Sequence, residues 1–71
     1  MTPITEQLDA LVLNNEELLS WAGHGTAATR TITIQFNNRS VVQGVAPTLA
    51  AAAELATLHA MKAIHEGRDD G

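Results

Sequence analysis

Apolar residues occupy nearly every side of one helix that the sequence predicts over residues 47–66. At about 100° per residue, one stripe of this helix comprises Leu49, Ala52, Ala53, Ala56, Ala60, Ala63 and Ile64. A second group, on or near the opposite side, comprises Leu55, Leu58 and Met61. A helix that is apolar on all sides is normally buried on all sides. A chain of 71 residues, however, can cover only one stripe of such a helix. We therefore expect the second group to contact another copy of the chain or a different protein.

The N-terminal third also carries a helical period. Thr2 is the expected N-cap and Pro3 the first helical residue. The apolar positions that share one face are Ile4, Leu8, Leu11, Leu18 and Ala22. The pattern predicts one long helix with room for a kink, and it ends near Gly23.

Asn15 fills the gap in this apolar series and leaves two interpretations open. In the first, one long helix carries a polar residue on its inner seam. In the second, the Asn14-Asn15 pair breaks the helix, and Asn15 caps a short second helix whose first turn holds Glu16 and Glu17. We favour the first interpretation.

Residues 29–36 alternate strictly between apolar and polar, which is the period of a half-buried strand. One face holds Ile32, Ile34 and Phe36, and the other holds Thr29, Thr31, Thr33 and Gln35. Asn37 and Asn38 then supply a turn, and residues 39–45 return as the partner strand. A two-residue turn would place Val41 and Val45 on the apolar face, whereas a three-residue loop would place Val42 there. We favour the former because it buries two valines.

The segment between helix and strand, residues 22–28, reads as a flexible glycine-containing loop. It has no phosphate-binding motif, and it leads into a strand instead of a helix N-terminus, which argues against nucleotide binding. Trp21, the single tryptophan, precedes this loop. It serves either as a lid on the core or as an anchor for a partner, and the lid is the commoner role in a small core.

These elements predict an α+β fold of order helix, strand, strand, helix (αββα), with two helices packed on a two-stranded antiparallel sheet. Residues 1–66 form one small domain, and residues 67–71 form a disordered tail. A domain of this size is marginally stable, and with no cysteine it has no disulfide support. We therefore expect a homodimer, formed through Leu55, Leu58 and Met61 or by pairing of strand edges. The N-terminus shows no signal-peptide pattern, so we expect a cytoplasmic protein.

The net charge of −4 and the scattering of the four cations argue against direct nucleic-acid binding. Such binding would require Arg30, Arg39 and Lys62 to converge in space. The acidic pair Glu16-Glu17 would attract a basic partner surface, although charged pairs more often serve only solubility.

No catalytic, cofactor or metal site is predicted. His59 and His65 are six residues apart, so one helix cannot direct both to a single metal ion, and His24 lies in a separate segment. Serines and threonines are present but lie in no nucleophile motif. We therefore expect a protein that is not an enzyme and needs no cofactor.

Residues 31–64 resemble the C-terminal half of a double-stranded-RNA-binding domain, in which a hairpin precedes an alanine-rich helix; Ala52, Ala53, Ala56 and Ala60 carry the resemblance. The family begins this helix with a lysine-rich phosphate-binding motif, where this chain has Leu49-Ala50-Ala51, and one strand of the family is not apparent here. No functional residue is therefore carried over. Residues 41–64 are also similar to the HicB class of antitoxins, without a diagnostic motif.

In size, acidity and layout the chain is similar to short accessory proteins of phages and prophages, including head-to-tail joining proteins and anti-CRISPR inhibitors. The resemblance implies a small binding protein that occupies a surface on a larger host or phage protein. An inhibitor of a host defence complex is the favoured interpretation. The alternatives are a degenerate nucleic-acid-binding or antitoxin-like domain and a small structural protein of the virion.

Overall fold

The computed structural model describes residues 3–69. Along the chain the elements are α1 (Ile4–Asn14), β1 (Leu18–Gly25), β2 (Arg30–Phe36), β3 (Val41–Ala46) and α2 (Leu49–Asp69). The strands form an antiparallel sheet in the order β1-β2-β3. Helix α2 packs on β3 and β2, while α1 packs on β1 and against α2. The α+β class with two helices is confirmed; the two-stranded αββα layout is wrong, because residues 18–25 form a third strand.

The first helix is shorter than its apolar pattern predicts. It ends at Asn14, and Asn15 adopts an extended conformation with φ −128° and ψ 105°. The Asn15 side chain donates a hydrogen bond of 2.8 Å to the Leu11 carbonyl, which satisfies an acceptor at the helix end. The asparagine pair therefore does break the helix, but Asn15 caps its C-terminus, and a strand follows instead of a second helix. Thr2, the expected N-cap, lies outside the described residues.

The predicted glycine loop is largely strand. Ala22, Gly23, His24 and Gly25 pair with residues of β2, so the connection shrinks to residues 26–29. The turn is closed by a 2.9 Å hydrogen bond from the Thr26 amide to the Thr29 carbonyl. The Thr26 hydroxyl oxygen also accepts from the amides of residues 28 and 29. This turn is typical of a threonine that satisfies nearby backbone donors.

The β2–β3 hairpin has a three-residue loop, so the register predicted with a two-residue turn is wrong. Arg39 takes a positive φ of 76°, and its amide donates to the Phe36 carbonyl at 3.0 Å. Ile34 consequently pairs with Val42. Val42 is the valine packed against the core, while Val41 and Val45 are about half exposed on the other face.

One face of the sheet and the inner sides of both helices form the core. Its buried residues are Leu8, Leu18, Ile32, Ile34, Phe36, Ala46, Ala52, Ala53, Ala56, Ala60 and Ile64. The predicted inner face of β2 and most of the predicted alanine stripe are therefore correct. Leu49, expected on the same stripe, is 40% exposed because it lies in the first turn of α2, at the end of the sheet.

Helix α2 lies so close to the sheet that its backbone contacts β3 at Gly44. A Cβ atom at Gly44 would overlap the carbonyl oxygen of Ala52 and the amide nitrogen of Ala56. Ala52 and Ala56 are themselves fully buried. Because only glycine fits on the strand, a register that turns Gly44 toward the helix prevails over one that buries two valines there.

The ends of α2 differ from the predicted range of 47–66. The Thr48 hydroxyl accepts a hydrogen bond of 3.2 Å from the Ala51 amide, in the geometry of an N-cap. The helix continues to Asp69, so residues 67–69 of the expected tail are helical. Residues 70 and 71 lie outside the described part of the chain.

We expect Gly44→Ala to destabilise the protein by about 3 kcal/mol, because the added methyl group meets backbone atoms that cannot move aside individually. Urea unfolding followed by circular dichroism measures the change. Gly67→Ala is the matched control: it also replaces glycine with alanine, but nothing lies within 4 Å of the added atom. It should leave stability unchanged or raise it by up to about 1 kcal/mol. Equal effects of the two substitutions would contradict the close packing of α2 on β3.

Candidate protein-interaction surface

The second apolar group on α2 is exposed, as its position opposite the alanine stripe predicts. Leu55 is 39% exposed, Leu58 61% and Met61 42%. Three large apolar side chains close together on one helix are more than the scattered exposure normal for a protein surface. We refer to Leu55, Leu58 and Met61 as the α2 patch.

Part of the α2 patch borders a groove between α1 and α2. The groove has a volume of about 890 Å³. The apolar residues that line it are Ile4, Leu8, Ala50, Ala53, Leu58 and Met61, and the polar ones are Gln7, Glu54, Thr57, Lys62 and His65. Leu55 does not line the groove, because it lies about 60° around the helix from Leu58. The structure therefore divides the predicted patch between the groove and the outer side of α2.

Trp21 lies on β1 instead of at a helix end, and it packs partly buried against the core cluster. Its indole Nε1–H donates a hydrogen bond of 2.7 Å to a carboxylate oxygen of Asp9 on α1. The tryptophan thus joins β1 to α1 and satisfies its polar group within the chain. This geometry is that of a lid on the core, and it separates Trp21 from the α2 patch.

Glu16 and Glu17 form the turn between α1 and β1, and this turn is bound to the β2–β3 loop. The Asn37 amide donates to the Glu17 carbonyl at 2.9 Å, and the Asn37 side chain donates to the Glu16 carbonyl at 2.5 Å. The backbone of the acidic pair therefore has a structural role. The Glu16 side chain is exposed, whereas that of Glu17 is partly buried.

The cations expected to converge in a nucleic-acid-binding protein lie apart. Arg30 begins β2, and Arg39 lies in the loop beyond its other end. The seven residues of β2 separate them by about 20 Å. Lys62 lies on α2 beside the groove. Within one copy, no cationic surface is formed from these three residues.

The three histidines occupy separate places. His24 is near the end of β1, His65 lines the groove, and His59 contacts the edge of β3. The His59 Nδ1 atom lies 2.7 Å from the Gln43 carbonyl oxygen, so the ring donates from Nδ1. Across residues 3–69, no group of three or more histidine, aspartate or glutamate side chains is placed to hold a metal ion.

The sequence did not predict the long-range hydrogen bonds made by three residues: Asp9, Asn37 and His59. Each makes a contact across at least 12 positions of the chain. No local motif marks such a partner, because the contact depends on how elements distant in sequence pack together.

No family model, curated protein sequence or solved structure matches this chain. Within residues 3–69, neither helix combines the length and the hydrophobicity needed to cross a bilayer.

We expect Asp9→Ala to destabilise the fold by about 1 kcal/mol, because Trp21 loses its hydrogen-bond acceptor. Thermal unfolding measures stability, and tryptophan emission reports the environment of the ring. Asp9→Asn is the matched control, since its side-chain oxygen can still accept from the indole. An equal loss in both variants would show that the charge of Asp9, and not the hydrogen bond, is responsible.

Proposed function

We propose that this chain is a non-enzymatic protein-interaction module that forms a homodimer through the α2 patch. The observation that supports this proposal most strongly is the cluster of exposed apolar residues beside an apolar groove on a small chain. Burial of a leucine side chain contributes about 2 kcal/mol. A second copy would cover surface that one copy leaves open to water.

The sequence of α2 is complementary to itself when two copies pair antiparallel about Leu58. In that arrangement Leu58 meets its own counterpart at the two-fold axis, and Leu55 lies opposite the partner's Met61. Glu54 then lies opposite the partner's Lys62, which pairs opposite charges on both sides of the axis. These residues are exposed in the single chain, so they are available for the contact. A closed two-fold dimer uses one surface twice, as this arrangement does.

The size of the chain also favours a second copy as the molecule that covers the α2 patch. Its accessible surface is 4844 Å². A standard interface buries about 800 Å² on each partner, which is about one sixth of that surface. The surface that we propose for this contact is the α2 patch together with the groove wall that Leu58 and Met61 border.

For the wider role, we propose that the dimer binds a larger protein and acts as an inhibitor of a host complex, in the manner of phage accessory proteins. The net charge of −4 supports a basic partner surface. The alternative is a nucleic-acid-binding domain. One observation favours this alternative. The double-stranded-RNA-binding family has one strand that was not apparent in the sequence, and β1 adds a third strand to the sheet. The separation of Arg30 from Arg39 and the uncharged start of α2 argue against it.

We expect the wild-type protein to be a dimer in light scattering and Leu58→Glu to be a folded monomer. The substitution places a charge at the two-fold axis in both copies, and the dimer should weaken by at least about a hundredfold. Leu13→Glu is the matched control, because Leu13 is 84% exposed on α1 and does not line the groove. It should remain dimeric. Helical circular dichroism verifies that both variants fold, and a monomeric wild type would contradict the proposal.

Charge reversal tests the antiparallel arrangement separately. Glu54→Lys or Lys62→Glu alone should weaken the dimer about fivefold, because each places like charges opposite one another. The double variant should recover most of the wild-type affinity, measured by analytical ultracentrifugation at low salt. Failure of the double variant to recover would rule out this pairing while leaving the α2 patch itself open to another orientation.

A further inference from the structure

The two edges of the sheet differ in how they are protected. On β3, the His59 ring binds the Gln43 carbonyl oxygen, and Pro47 follows directly after the strand. On β1, residues 22–25 are all exposed, and the strand contains no aspartate, glutamate, lysine, arginine or proline; its one ionisable residue is His24. Natural proteins normally protect a sheet edge with charges, proline or a covering element. The second half of β1 has none of these protections.

A cavity of about 480 Å³ lies beside this unprotected edge. Trp21 and Leu49 form its large apolar walls, and the remaining lining residues are Ala22, Gly23, His24, Gly25 and Arg30. The two glycines contribute no side chains to this lining. In register, Gly25 pairs with Arg30, and Gly23 pairs with Ile32. Arg30 is exposed and forms no ion pair with the residues that the structure describes.

We propose that the free edge of β1 binds an extended segment of another protein, which adds a fourth strand to the sheet. Strand addition obtains affinity from main-chain hydrogen bonds and specificity from pockets that receive alternate side chains. In an antiparallel pairing, a side chain opposite Gly25 lies near Arg30, and the one two positions later lies near Trp21. The matching segment therefore carries an acidic residue followed, two positions on, by an apolar or aromatic residue.

A second copy of the chain is a poorer occupant of this edge. Residues 18–25 contain no acidic side chain, so another β1 strand offers no carboxylate to Arg30. The α2 patch does not line this cavity, so the edge proposal does not depend on the dimer.

The test uses a synthetic peptide with blocked ends and the order threonine, aspartate, threonine, phenylalanine, threonine, valine, threonine. It is titrated into the full chain to about 1 mM, the range of weak complexes, while backbone amide resonances and Trp21 emission are recorded. We expect shifts concentrated in β1 and a change in tryptophan emission. Absence of shifts in β1 would overturn the proposal.

Charge exchange tests the role of Arg30. Arg30→Glu should weaken binding of the aspartate peptide about tenfold, and a peptide with lysine in place of aspartate should show the opposite preference. Arg39→Glu is the matched control, since Arg39 lies beyond the other end of β2 and should not affect binding. Equal affinity in wild type and Arg30→Glu would overturn the assignment of an acidic partner.

The same titration in the Leu58→Glu background separates the two proposals. Unchanged peptide binding there would support the edge proposal whether or not the dimer forms. If the β1 resonances instead shift with protein concentration in the absence of peptide, in this variant also, a second copy occupies the edge. That result would overturn the assignment of a foreign segment.

Discussion

The fold depends on the contact between the backbone of α2 and the backbone of β3 at Gly44. No side chain fits between them, so the positions of α2 that face the strand are limited to alanine. An alanine stripe fills little volume, and the large apolar side chains of the core therefore come from α1, β1, β2 and the far end of α2. The larger apolar residues in the middle of α2 are then left on its outer side. The close packing thus leaves the residues of the α2 patch without a place in the core.

The two candidate surfaces lie in different parts of the molecule. The α2 patch belongs to the helical layer, while the free edge belongs to the sheet. On the opposite edge, the His59 ring binds the Gln43 carbonyl of β3, and the Asn37 contacts hold the acidic turn that leads into β1. The two contacts that we propose, with a second copy and with a foreign strand, therefore use separate surfaces and do not overlap.

The sequence was informative where a pattern reflects one element and its immediate burial. The alternation of β2 and the alanine period of α2 correctly identify the inner face of the sheet and the helix that covers it. The period of α1 is misleading beyond Asn14, because Leu18 continues the helical spacing while its backbone pairs with Phe36. Strand pairing of this kind is a non-local interaction, and residues that favour a helix locally can be recruited into it.

Counting the valines that each hairpin register would bury could not identify the correct register. It depends on the positive φ of Arg39 and on the space requirement of a helix that follows later in the chain. The two candidate surfaces also differ in how far the sequence predicts them. The exposed residues of α2 follow from helix geometry alone, whereas the free edge of β1 becomes visible only once β1 is known to be a strand at the side of the sheet.

The contacts of Asn37 have a consequence for strand alignment. The second half of β1, residues 22–25, contains two glycines and an alanine, and it offers little side-chain packing to prevent a shift of two positions along β2, which would preserve the inward and outward faces. Asn37 contacts the main chain of Glu16, Glu17 and Leu18, at the entry to β1. A slip of β1 would move that turn away from all three contacts. Asn37 in a distant loop therefore acts together with the buried Leu18 and the Trp21–Asp9 hydrogen bond to fix the alignment of β1.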